Sequence, residues 1–198
     1  MKQLILDVET QKAFDDVGGF YPEKLGVSFV GVIERNGFPE NDEGGEEATH
    51  QFFEADLDKL WPLMESADVI VGFNSDGFDL PTFKPYYLGD INSFPSLDLL
   101  ARVKDSIGHR ISLDAIAKDT LGAQKIGHGL DAIRYYQNQE FDKLAHYCMK
   151  DVEITRDIYD YGRQHGHILF KNKWNNPITA KVDFSFSPKE KPLQMTLV

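Results

Sequence analysis

The chain has 198 residues with 41% hydrophobic and 12% aromatic content, enough for one sizeable core and too little for two independent ones. Its formal charge of -11 at pH 7 argues against a generic nucleic-acid binder, which carries a basic surface, unless several carboxylates are gathered around cations that reverse the local field. The single cysteine, Cys148, excludes an intramolecular disulfide and a multi-cysteine zinc site, and with no signal-peptide core and no apolar run near the roughly 20 residues of a membrane span, the expected setting is the cytoplasm, away from membranes.

Lys2 to Val8 is a short aliphatic run and Gly26 to Ile33 is rich in β-branched and aromatic residues, so both read as strands. Pro39 to Glu47 (PENDEGGEE) reads as a solvated, mobile loop tip, across which a third strand around His50 to Phe53 pairs back. Leu57, Leu60, Trp61 and Met64 then recur at helical spacing, and Val69 to Phe73 returns to a buried strand. A helix is expected over Phe78 to Leu88, with Pro81 tolerated in its first turn, followed by a short strand near Ser96 to Leu99. Ser112 reads as the N-cap of a helix ending at Leu121, where Gly122 supplies the stop. The last long helix runs from about Glu140 to Gln164, with Leu144, Tyr147, Cys148, Ile154, Ile158 and Tyr161 on a stripe facing a sheet. Beyond Gly166, alternating pieces such as Ala180 to Phe186 read as one or two edge strands of a peripheral extension. The expected class is therefore α/β: a mixed five-stranded sheet with an antiparallel first three strands and helices on both faces in residues 1–166, with a C-terminal extension, 167–198, packed on or beside it.

Three carboxylate-bearing segments stand out. Asp7 and Glu9 end the first strand two residues apart, so strand alternation turns both to one face, where two inward charges need cations nearby. In GFNSDGFDLP, Asp79 stands near the start of a helix at the C-terminal edge of the sheet, where open α/β sheets place ligands, whereas Asp76 sits in an Asp-Gly turn. In HYCMKDVEIT, Tyr147 precedes Asp151 by four residues and shares its helix face. Taken singly, each piece is compatible with ordinary surface or core; their conjunction carries the information.

With these residues in order, the chain resembles the DEDD exonuclease superfamily, which includes proofreading domains of DNA polymerases and several exoribonucleases. The D-x-E pattern is Asp7-Val8-Glu9, the N-x-x-x-F-D pattern runs from Asn74 to Phe78 and Asp79, and the Y-x-x-x-D pattern runs from Tyr147 to Asp151. The resemblance implies a ribonuclease H-like fold, two magnesium or manganese ions on Asp7, Glu9, Asp79 and Asp151, and stepwise 3′-to-5′ removal of nucleotides from a free 3′ end. On that basis Asp7 would bridge the ions, Glu9 and Asp151 would complete one of them, and Asp79 would act through coordinated water. Hard oxygen ligands favour magnesium or manganese over zinc.

His146 also satisfies the H-x-x-x-x-D pattern of a histidine branch. At 100° per residue, however, Tyr147 lies about 40° from Asp151 on a helix and His146 about 140° away, which favours Tyr147 as the residue that orients the attacking water. Candidate substrate contacts are Thr10, Asn74, Phe78, Lys118, Lys125 and His128, the last three around the glycine-rich LGAQKIGHG. Single-stranded DNA is the favoured substrate and RNA the alternative; a replication or repair partner protein is compatible with so few phosphate-binding charges. A reading from a different class is a non-catalytic scaffold that keeps the fold, against which stands the retention of all four carboxylates.

Overall fold

The computed structural model describes residues 1–37, 47–123 and 129–187. Five strands form one sheet in the order β3-β2-β1-β4-β5: β1 (Lys2–Thr10), β2 (Val27–Asn36), β3 (Ala48–Phe53), β4 (Val69–Gly72) and β5 (Ser96–Asp98). β1 pairs antiparallel with β2 and β2 antiparallel with β3, whereas β4 and β5 run parallel to β1. This is the mixed sheet expected from three leading strands followed by strand and helix alternation. The crossover from β3 to β4 passes through α1 (Leu57–Ser66), whose Leu57, Leu60 and Met64 are buried.

The sheet is covered on both faces because its strands alternate two apolar sets. Leu4, Leu6 and Val8 of β1 join Val30 and Val32 of β2 in a core with α1 and the short α2 (Asp79–Phe83). Ile5 and Ile33 point the other way, into a core with α3 (Leu99–Ile107), α4 (Leu113–Thr120) and the long α6 (Phe141–His165). A third cluster, Phe29, Ala132, Leu144, Tyr147 and Cys148, fills the space between β2, α5 (Gly129–Gln137) and the start of α6.

Several elements differ from expectation for local reasons. β1 continues past Val8 to Thr10, so Glu9 is inside the strand and only 9% exposed. The helix expected over Phe78 to Leu88 stops at Phe83: Lys84 keeps helical angles, but Pro85 has no N–H with which to continue the ladder. α3 and α5 were not foreseen; α3 begins where the Asp98 carboxylate accepts the N–H of Ala101, an N-cap hidden in the apolar SLDLL run. Ser112 caps α4 as expected, its Oγ accepting from the N–H of Ala115.

After α6, Gly166 at φ +67° turns the chain into β6 (His167–Lys171), which pairs antiparallel with β7 (Pro177–Lys181). These strands form a separate two-stranded sheet rather than edges of the main one. Ile168, Phe170, Ala180 and Val182 seat it in the core of α3, α4 and α6. Among the described residues, no helix is long and apolar enough to cross a membrane. The acidic stretch lies mostly outside the described residues; its last member, Glu47, forms ion pairs with Arg35 at 3.5 Å and Arg156 at 2.8 Å.

Candidate active site

β1 runs past the end of its partner β4: the β1–β4 register ends at Ile5 opposite Val71, four residues before Glu9. The far end of β1 therefore forms one wall of a cleft of about 410 Å³ whose lining includes Asp7, Glu9, Asp79, Tyr147 and Asp151. Asp7 and Glu9 share the strand face of Ile5, the face covered by α6. Asp151, 4% exposed, and Tyr147, 3% exposed, reach the same cleft from one face of α6. His146 belongs to the same helix but is exposed and absent from that lining.

Asp79 arrives from the loop after β4. It is 3% exposed, and its Oδ1 accepts the backbone N–H of Val8 at 3.0 Å, a donor that the shorter β4 leaves uncovered. Burial pushes its carboxyl up to about 7, with the nearby Asp98 charge adding to the effect against two backbone N–H donors that favour the ionised form. The loop itself is held by Asp98, which accepts the N–H of Asn74 at 2.9 Å and of Asp76 at 3.2 Å. Asn74 adopts φ +70°, and the N–H of Gly77 donates to its carbonyl, so Asp76 sits in a turn as its Asp-Gly context suggests.

Two residues outside the motifs shape the site. Gly31 is the register partner of Asp7, and a Cβ there would meet Met149 Sδ at 2.9 Å, Val152 Cγ2 at 3.0 Å and Cys148 Sγ at 3.2 Å, so only glycine lets α6 approach the strand this closely. Cys148, fully buried, donates its thiol to the Asp7 carbonyl at 3.4 Å, with Asp7 Oδ2 at 3.6 Å. Burial and the Asp7, Glu9 and Asp151 charges push that thiol well above its ordinary value. The S–H form, which donates to the Asp7 carbonyl, is thereby favoured over the thiolate. The sequence signal for both is weak: a glycine inside a strand pattern marks a close approach, and a cysteine beside the Y-x-x-x-D motif reads as core.

The donor set fits a hard divalent cation. One ligand atom each from Asp7, Glu9 and Cys148 lie within 4.8 Å of one another, two of them carboxylate oxygens, the hard donors that magnesium and manganese take. Asp79 and Asp151 share the cleft with this cluster.

The substrate-contact candidates separate. Phe78 and Thr10 line the cleft; Phe78 meets Phe14 edge to face at 5.9 Å, and the Thr10 hydroxyl donates to the Lys12 carbonyl as β1 ends. Asn74 turns its side-chain oxygen to Arg110 at 2.8 Å, and Lys118 is exposed on α4, neither lining the cleft. Lys125 and His128 lie outside the described residues. Leu130 and Ile133 of α5 and Phe14 supply apolar walls that the motifs did not indicate.

A ribonuclease H-like sheet with an acidic cleft at the end of its central strand defines the class, and the chain belongs to the RNase_H superfamily, whose profile matches residues 4–162. In structure it is similar to the family B DNA polymerase of the hyperthermophilic archaeon Pyrobaculum calidifontis, with a TM-score of 0.57 and 17% identity over 82% of this chain. Two structures of Escherichia coli exonuclease I with DNA, a zinc-bound complex and one with a dT13 oligonucleotide, give TM-scores of 0.47 and 0.45 at 15% identity. The chain spans 24% of the polymerase and 41% of exonuclease I, and no curated protein matches its sequence.

Proposed function

We propose that this chain is a metal-dependent 3′-to-5′ exonuclease that hydrolyses phosphodiester bonds at single-stranded ends, with DNA the favoured substrate. The observation that carries this reading is the convergence of Asp7, Glu9, Asp79, Asp151 and Tyr147 on a single cleft from three separate segments. Four acidic side chains with little exposure gathered in one cleft are a costly arrangement, which a bound divalent ion would offset.

Asp7, Glu9 and Asp151 would hold magnesium or manganese, which when bound would supply a lowered pKa for water and charge neutralisation at the scissile phosphate. The chain's own groups do the rest. Tyr147 orients the attacking water with its hydroxyl from the α6 face. Asp79 fixes the end of β1 through the Val8 N–H and thereby keeps Asp7 and Glu9 in register. Phe14, Phe78, Leu130 and Ile133 give the cleft its apolar side, against which a terminal base packs while bulk water is excluded.

Incubation with 5′-labelled single-stranded DNA and RNA of matched sequence, with and without manganese, tests the proposal. The expected result is a ladder shortened from the 3′ end only when metal is present, faster on DNA. A faster ladder on RNA moves the assignment to an exoribonuclease. No metal-dependent cleavage by folded protein overturns the proposal in favour of a non-catalytic scaffold.

A further inference from the structure

Hairpin β6–β7 follows the residues matched by the family profile and contributes no cleft wall, yet its surface chemistry departs from that of the rest of the chain. Between Gly166 and Val182 there is no Asp or Glu, in a protein whose net charge is -11, while Lys171, Lys173 and Lys181 all fall within it. Its inward residues anchor it firmly. Ile168 and Phe170 are buried, and Gly162 leaves room on α6 for the Phe184 ring, which a Cβ would strike at 2.3 Å. Lys171 and Lys181 alternate with those residues onto the outer face, both exposed, Lys171 with Asp119 at 3.9 Å.

The tip is built rather than loose. The Asn172 side-chain oxygen accepts the N–H groups of Trp174 and Asn176, and the Asn172 N–H donates to the Asn176 carbonyl at 3.0 Å. On this braced turn Trp174 is 69% exposed, with Lys173 Nζ 4.4 Å from its ring centroid. A large indole held in water by a rigid turn does nothing for the core, and a flat π-face beside ammonium groups matches unpaired bases on a phosphate chain.

The hairpin also connects to the start of the loop that leads to Asp79. His109 packs edge to face on Phe170 at 6.4 Å, and its neighbour Arg110 reaches the side chain of Asn74, the residue that opens the loop to Asp79. Along α6, the 14 residues from Asp151 to His165 correspond to about 21 Å.

We infer that the β6–β7 hairpin is a second binding site for single-stranded nucleic acid, in which Trp174 stacks on a base and Lys171, Lys173 and Lys181 neutralise phosphates. The inference rests on the proposed nuclease reading, because charge complementarity to a polyanion already engaged by the cleft is what selects this occupant. The hairpin holds the strand some way from the cleft, so its contribution reaches long substrates and not a dinucleotide.

The test uses the full chain in an Asp7→Ala background with magnesium and a fluorescent single strand of about 15 nucleotides, within the range that such surfaces occupy. Trp174→Ala is expected to weaken binding about tenfold, one stacked base, and to remove most of the binding-induced quenching of tryptophan fluorescence, leaving the half-buried Trp61. Replacing the three lysines by alanine is expected to reduce the slope of log affinity against log salt by about 2. With Asp7 restored, these variants are expected to cleave a dinucleotide at the parent rate and the long strand at a lower kcat/KM.

Unchanged affinity and salt slope, or a parent that binds no oligonucleotide, overturns the hairpin site and leaves its Trp174 surface to a protein partner. Hairpin-dependent binding by a chain that cleaves nothing sustains the site while the exonuclease reading falls.

Discussion

The Asp79 carboxylate accepts the N–H of Val8, the residue between Asp7 and Glu9, at 3.0 Å, so the second acidic segment is tied to the strand that carries the first. Its carboxyl is raised to about 7 by burial, above the ordinary range of an unfolded chain. Between roughly pH 4 and 7 the folded state therefore binds more protons than the unfolded one, and this contribution to stability is present at low pH and lost as pH rises through 7. Melting temperature of the metal-free protein is expected to fall from about pH 5 to 8, and Asp79→Asn to flatten that slope. Parallel slopes in the two proteins refute the account.

Divalent ions are expected to oppose that loss, since they bind the assembled cluster and have little affinity for separated carboxylates. At a hundredfold excess over the dissociation constant the gain is about 2.7 kcal/mol, which for a domain of this size corresponds to roughly 5–10 °C in melting temperature. Differential scanning fluorimetry with manganese and magnesium reads the shift directly. No shift with either ion, in protein free of chelator, speaks against a preformed metal site.

Asp7→Ala is expected to lower turnover at least a thousandfold, about 4 kcal/mol of barrier, while the metal-free protein stays folded and melts slightly higher because one member of a repelling cluster is gone. The manganese-induced shift should shrink in parallel. Activity within tenfold of the parent refutes the assignment of Asp7.

Tyr147 lines the cleft, whereas His146 on the same helix is exposed and does not. Tyr147→Phe is therefore expected to slow cleavage by about one to two orders of magnitude with metal binding intact, and His146→Ala to have little effect. Reversal of that order in single-turnover rates identifies the histidine as the functional residue.

Gly31→Ala places a methyl 2.9 Å from Met149 Sδ and 3.0 Å from Val152 Cγ2, forcing α6 away from β2. Overpacking of this kind costs about 1–3 kcal/mol, and a shift of α6 also displaces Asp151 and Tyr147 from Asp7. Lower stability together with reduced kcat is expected, measured by urea denaturation and by rate at saturating metal. A variant that loses stability while keeping full kcat shows that the spacing of α6 is not critical to the site.

The order and type of the strands were legible because a run such as Lys2 to Val8 followed by Gly26 to Ile33 is dictated by local patterning, and the three motifs carried the cleft residues because strand and helix periodicity fixes which side chains share a face. The face of α6 bearing Tyr147, and the exclusion of His146 from it, followed from 100° per residue alone. Tertiary structure decided what depends on partners distant in sequence. Gly31 matters only because α6, more than a hundred residues later, lies across it. The hydrogen bond between Asp79 and Val8 exists because β4 ends early and leaves that N–H uncovered. The apolar wall of α5, the Asp98 clamp on the Asn74 loop and the docking of the β6–β7 hairpin arise likewise from packing between segments, and no local period records it.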